Sequence, residues 1–208
     1  MLKGEYIYLR LFEPEDYQKT YLWHNDVELQ KTTCGPIRIV SKEIERNWVL
    51  SKSTNNNSEL YLAICLNSTD EMIGWYSVTG IDHLNRKCHC SGVIIGDKKY
   101  RDGLAFQEAG WMVTLFVFNE LNMNRVSGTC LREHLLSRAC MENGFWSLEG
   151  IERKTIYKNG VYHDICHYAL FRDVFFNHLK NGDFDERAST RRLKVFIDKI
   201  KNDIKNNQ

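Results

Sequence analysis

The stretch DKKYRDGLAFQEAGW occupies residues 97–111, and the organisation of the chain turns on how it is read. It opens with charge, passes a single glycine, Gly103, and continues as an apolar helix that carries one acid, Glu108. Two readings compete. In one, the glycine opens a helix whose free N-terminal amides face an anion. In the other, RDG is an ordinary turn into a buried helix. The segments on either side supply the context.

Upstream, GEYIYLRLF (4–12) alternates apolar and polar residues and reads as a strand. Glu13-Pro14-Glu15-Asp16 then starts a helix, because Pro suits the first helical position and acids suit the positive end of the dipole. Ser41 is an N-cap for KEIERNWVLSK, with Ile44 and Trp48 four apart. Three strands follow, ELYLAICLN (59–67), EMIGWYSVTGID (71–82) and KCHCSGVIIG (87–96); short polar turns join them into an antiparallel meander. Downstream of the quoted stretch the helix runs over 104–121. VSGTCL (126–131) is a strand, and HLLSRACMENGF is a helix that stops at Asn143-Gly144. FWSLEGIERKTIY and VYHDICHYALF pair about the hairpin signal Lys158-Asn159-Gly160. The order predicts an α/β (α+β) fold with a mixed sheet, in which an antiparallel meander meets one parallel βαβ unit. Residues 173–208 read as a polar helical extension, with Leu193, Phe196, Ile197, Ile200 and Ile204 on one face, a stripe for packing on the domain or a partner.

Composition narrows the classes. The 208 residues are 43% hydrophobic and 26% charged, enough for a core without disulfide or metal staples. A net charge of +1 calls for neither nucleic acid nor an anionic membrane. No apolar run has the length of a membrane span, and MLKGEYIYLR is not of signal-peptide type. Seven Cys, an odd number in mostly apolar surroundings, read as reduced thiols in a cytoplasmic protein.

Six pieces in this order, LRLFEPED (9–16), WHND (23–26), IGDKKYRDGLA (95–105), FNELNMNRVSG (118–128), ENGFWSLEGIERKTIYKNGVYHD (142–164) and YALFRDVF (168–175), resemble the GNAT N-acetyltransferase superfamily. The branch is the one that contains ribosomal-protein N-terminal, spermidine and amino-sugar N-acetyltransferases. The resemblance covers roughly residues 4–175, so it implies an acetyltransferase domain over 1–175 and a helical extension over 176–208. It also implies a sheet whose central strand pair splays apart to admit acetyl-CoA. In such a fold the edge of the first splayed strand, here Val93, Ile94 and Ile95, faces the coenzyme and offers an oxyanion-hole amide. The pyrophosphate sits on the next helix start. The family pattern Q/R-x-x-G-x-G/A matches Arg101, Gly103 and Ala105 once one residue is deleted, with Asp102 and Leu104 between. Without the deletion the small positions fall on Leu104 and Phe106 and the loop is broken. Asp102 places a negative charge beside the expected phosphates.

Counted back from Gly144, the family's Tyr that protonates the leaving thiolate corresponds to Cys140, and an Asn near the helix start corresponds to Glu133. A thiol near ~8.5 can act as an acid; Cys140 also reads as a small core residue. Asp82 and His83 follow the central strand where acceptor-side residues fall in relatives, and rank first as general base, ahead of His89, Ser91, Tyr162 and His163. Trp23, His24 and Asn25 border the acceptor pocket by the same resemblance, with Tyr162 reaching in from the hairpin; core packing and a helix cap are the plain alternatives. His163, Cys166 and His167 do not share one strand face, so no metal site is expected. The implied activity is acetyl-CoA-dependent acetylation of a primary amine, small-molecule or peptide, without nucleic acid or membrane, in a possible homodimer. The rival is a GNAT-fold protein that binds a CoA derivative or a partner without turnover.

Overall fold

The computed structural model describes residues 1–54, 58–184, 194, 195, 197–199, 201, 202 and 205. Strands β1 (Leu2–Lys3), β2 (Ile7–Leu11), β3 (Leu60–Leu66), β4 (Met72–Asp82), β5 (Lys87–Ile95), β6 (Arg125–Leu131), β7 (Ser147–Lys158) and β8 (Val161–Phe171) form one sheet in the order β1-β2-β3-β4-β5-β6-β8-β7. Every pairing is antiparallel except β5 with β6. The mixed, mostly antiparallel sheet is therefore as the sequence predicts.

The residues explain the elements. The strand expected over 4–12 is broken at its start, because Glu108 of helix α4 (Leu104–Asn119) accepts the amides of Glu5, Tyr6 and Ile7, at 2.6, 3.2 and 2.9 Å. The turn after β2 is fixed by Asp16, which is 7% exposed, takes both guanidinium nitrogens of Arg10 at 2.7 Å and accepts the Glu13 amide at 2.8 Å. Charge-assisted bonds of this kind are the strong ones. A short 3-10 turn (Pro14–Asp16) then leads into α1 (Tyr17–His24), α2 (Val27–Gln30) and α3 (Lys42–Thr54). Ser41 caps α3 by accepting the Ile44 amide at 3.2 Å, as expected. The β7–β8 hairpin turns at Asn159 and Gly160, both at positive φ.

Alternation along the strands gives the sheet two apolar faces. Leu9, Ile64, Tyr76 and Val78 point to the face covered by α4 and by α6 (Arg172–Lys180). Ala63, Cys65, Met72 and Trp75 point to the other, covered by α1, α2 and α3 through Trp23, Leu29 and Val49. Helix α6 runs across the boundary drawn at residue 175. Phe175, 1% exposed, packs on Phe118 at 5.5 Å and on Phe184 at 5.1 Å, a burial of about 1.5–3 kcal/mol for such a side chain. Of the stripe expected in the extension, Leu193, Phe196, Ile200 and Ile204 lie outside the described residues.

Candidate functional site

The parallel pairing of β5 with β6 is short: Lys87, Cys88 and His89 face Arg125, Val126 and Ser127. Beyond it β5 stays on β4 as far as Ile95, and β6 stays on β8 as far as Leu131. The two strands part, and a cleft of about 640 Å³ opens between them. That is the size of a small-molecule site. The register shifts between Trp75–Ile94 and Ser77–Ser91, leaving one extra residue on β5 at Gly92–Val93, on the open edge of the V.

The cleft passes from one face of the sheet to the other. Its first arm lies on the α4 side. Val93 and Ile95 line it from β5, Cys130 from β6, Gly103 and Phe106 from α4, and His134, Ser137 and Cys140 from helix α5 (Leu135–Asn143) and its cap; Ile94 packs on the opposite face. Gly103 caps α4 in the left-handed region, with φ 97°, where a Cβ would be strained. Phe106 lines the wall and does not fill the opening. Asp102 accepts the Leu104 amide at 2.9 Å, so the carboxylate occupies one donor of the helix start. Arg101 also lines the cleft, but its guanidinium donates to the carbonyls of Ile95 and Gly96 at 2.8 and 2.6 Å. It braces the end of β5. The side chain of Ala105 is buried in the core, which leaves its backbone amide as what it contributes to the helix start.

His134 is the N-cap of α5: its Nδ1 accepts the Ser137 amide at 3.0 Å. The proton of the neutral ring must therefore sit on Nε2. Burial pushes its pKa down, which keeps the ring neutral. Burial also pushes the Cys140 thiol up to about 12, despite a donor from Gln107 at 3.9 Å. Such a thiol keeps its proton and is a weak acid.

The second arm lies on the α1–α3 side and is walled by Trp23, Trp48, Tyr61 and Trp75. Trp23 packs flat on Gly96; a Cβ there would come within 2.0 Å of the indole, so only glycine fits. That contact docks the end of α1 against the end of β5 and sets His24 beside the cleft. His24 Nδ1 lies 2.8 and 2.9 Å from the two oxygens of Glu45, which is 2% exposed. A carboxylate can only accept, so Nδ1 donates, and in the neutral ring the lone pair is on Nε2. The ring stands edge-on to Trp48 at 4.9 Å and to Trp75 at 5.1 Å. Glu45 and the two indoles thus fix the orientation of the ring. A loop over 31–41 straps the arm. Lys158, 3% exposed, reaches it from β7 and donates to the carbonyls of Gln30 (2.6 Å) and Thr33. Burial lowers the pKa of this ammonium.

Several expected positions are corrected. Asp82 and His83 lie at the opposite end of β4 from the cleft. Asp82 pairs with Lys87, six residues or roughly 20 Å along the strand from Val93. Its carboxylate caps a turn by accepting the Asn85 amide at 2.9 Å, and the Asn85 side chain holds its pKa down. Tyr162 is 63% exposed and packs on Tyr157 at 5.1 Å outside the cleft. Glu133 is half-exposed and pairs with His163, so the neighbouring His134 faces the cleft instead. Asn25 braces the strap, donating to Tyr21 O and Val40 O and accepting the Val40 amide at 3.0 Å. His89 meets Ser127 at 3.0 Å in the fork of the V. The side chain of Ser91 is outside the description. Glu45, Trp48, Tyr61, Trp75 and His134 were not singled out from sequence. Of these only Trp48 was read from spacing, and it was read with Ile44, four residues before it on α3. Among the described residues, no group of three His, Cys, Asp or Glu could hold a metal ion. No helix there is long and apolar enough to cross a membrane.

Known proteins agree with this geometry. Residues 7–145 match the model of the Acetyltransferase (GNAT) domain. The chain is similar to YdaF, a candidate ribosomal N-acetyltransferase of Bacillus subtilis (strain 168), at 26% identity over 81% of this chain and 93% of the relative. Its fold is similar to that of spermidine N-acetyltransferase from Vibrio cholerae, solved with CoA and spermine: TM-score 0.75, 17% identity, 84% of this chain and 100% of the other. It is also similar to that of RimL, the ribosomal L7/L12 alpha-N-protein acetyltransferase solved with coenzyme A: TM-score 0.72, 19% identity, 82% and 97% covered.

Proposed function

The chain belongs to the GNAT acetyltransferase family, and we propose that it moves an acetyl group from acetyl-CoA to a primary amine by direct attack on the thioester. One observation carries the reading: the V between β5 and β6 opens a single cleft onto both faces of the sheet. A donor on one face and an acceptor on the other then meet at the bulged edge of β5. CoA in the structures of the spermidine enzyme and of RimL supports the choice of donor.

In this reading the pyrophosphate rests on the amides at the start of α4, where the helix dipole favours an anion. The thioester lies along Val93–Ile95, and a backbone amide there receives the developing oxyanion. His24 Nε2 takes the proton of the acceptor ammonium, with Glu45 holding the ring and stabilising its charge. The leaving sulfur faces the α5 side. His134 Nε2–H is placed as a hydrogen-bond donor to it, and Cys140 serves as packing. The open wall at Phe106 favours an enzyme over a silent GNAT-fold protein, whereas the Asp102 carboxylate at the helix start is the feature that favours the silent form.

The test is calorimetric titration with acetyl-CoA, followed by CoA-thiol release against a panel of primary amines. Micromolar binding and amine-dependent release are expected. Binding without release for any amine would leave a CoA-binding protein without turnover. No binding would overturn the reading.

A further inference from the structure

We propose that the acceptor is an aromatic monoamine, a single primary ammonium carried on a flat apolar body; this rests on the acetyltransferase reading above. The argument is the chemistry of the second arm. Its walls are Trp23, Trp48, Tyr61 and Trp75, with ring centroids 5.6–6.1 Å apart between successive neighbours. Among the described residues Glu45 is the one acid lining the cleft, and both of its oxygens face His24. The other charged lining residues, Arg38 and Arg101, are cationic. With Glu45 held by His24, the ring faces are left to meet an ammonium, and they suit a single charge on an aromatic body. A polyamine brings further positive charges that meet no second acid here and approach arginines instead.

Most side-chain polar groups along the strap are already engaged, the Arg38 guanidinium excepted. Gln30 donates to His24 O and Arg38 O at 2.8 Å each and accepts the Arg38 amide at 2.6 Å. Thr32 donates to Leu29 O, Thr33 to Gln30 O, and Lys158 is held by strap carbonyls. A sugar or a peptide backbone needs donors and acceptors that these residues do not have to spare. An aromatic body needs only ring faces and excluded water.

The step balances. The ammonium gives one proton to His24 Nε2. The nitrogen lone pair forms the C–N bond to the thioester carbon. The tetrahedral intermediate collapses with cleavage of the C–S bond, whose electrons leave on sulfur. The second nitrogen proton ends on that sulfur, and His24 returns its proton to water. The products are the N-acetyl amine, CoA thiol and one proton.

The experiment measures CoA-thiol release by the full chain with 2-phenylethylamine, tryptamine, spermidine and a serine-initiated peptide. Quenching of the tryptophan fluorescence by each amine, without acetyl-CoA, is followed in parallel. The arylethylamines are expected to exceed spermidine and the peptide in kcat/KM by about tenfold or more, and to quench at lower concentration. Trp48→Ala should lower the arylethylamine kcat/KM by about tenfold with the acetyl-CoA Kd unchanged, and Trp48→Phe should keep most of it. Faster turnover of spermidine or the peptide overturns the proposal and leaves the acetyltransferase reading standing. So does a Trp48→Phe protein of native melting temperature that loses arylethylamine turnover and spermidine turnover alike. Absence of acetyl-CoA binding in the calorimeter overturns both.

Discussion

The two arms of the cleft are built from different materials. The donor arm is mostly main chain: the edge of β5, the amides at the start of α4 and the cap of α5. Its β5 and α4 parts come from one run of chain, residues 93–106. The acceptor arm is mostly side chains, brought by α1, α3, β3 and β4 from positions spread over residues 23–75. A main-chain site depends on the fold and so can be shared among relatives. A side-chain site can differ between relatives while the fold stays fixed.

If the arms do divide the labour, variants should separate turnover from donor affinity. The largest effect is expected on the acceptor side. His24→Gln or Glu45→Gln should lower kcat/KM by about 10²–10⁴-fold, the range of a lost general base, with acetyl-CoA affinity unchanged by calorimetry. An equal loss of acetyl-CoA affinity would break the comparison. On the donor side Gly103→Val forces a branched residue to φ 97°, a strain of about 1–3 kcal/mol. Acetyl-CoA should bind about 5–100-fold more weakly. Gln in place of His24 would not do this.

Two histidines at and near the cleft are pushed towards the neutral form. His134 in the α5 cap and His89 in the fork both have pKa values lowered, chiefly by burial. Each gives stability that is complete above the unfolded value of about 6.5 and is lost as pH falls through the lower folded value. Melting temperature should therefore drop on acidification below about 6.5, and His134→Gln should reduce that slope. A melting curve flat over this range would show that neither ring stays neutral. Asp102→Asn removes the charge at the start of α4 and should tighten acetyl-CoA by about 2–5-fold, the dipole-scale effect of 0.3–1 kcal/mol. Cys140→Ala is expected to do least. A thiol at about 12 does not protonate a leaving thiolate, so kcat and its pH profile should stay within about twofold of wild type. A hundredfold fall would restore the thiol as the acid.

The same contrast separates what was readable in advance. The β-meander, the hairpin at Asn159-Gly160 and the Ser41 cap are local patterns, and the structure places them as read. Val93–Ile95 and Gly103 line the cleft, and their contact with a coenzyme belongs to the proposal. Spacing errors of one residue still mattered: the cleft takes His134, not Glu133, because the cap geometry turns one toward α5 and the other toward His163. The acceptor arm was half legible. Trp23 and His24 do line the cleft, but the carboxylate that orients His24 lies 21 positions away on another helix. Asp82 and His83 were plausible by residue type and misplaced by geometry, since a strand of this length carries its far end out of reach.

By itself the sequence determined the family, the order of elements, the parallel step at the centre of the sheet and the glycine that opens α4. The order of elements and the parallel step follow from turn chemistry and periodicity, which act over a few residues; the family and the opening glycine come from the resemblance of six short pieces to a known pattern. Only the tertiary structure decided which side chains meet in the cleft: the His24–Glu45 pair, the aromatic walls, the Lys158 clasp on the strap and the withdrawal of Arg101 and Cys140 from the chemistry. Those depend on where distant helices dock and on which polar groups are already engaged, and no local pattern encodes either.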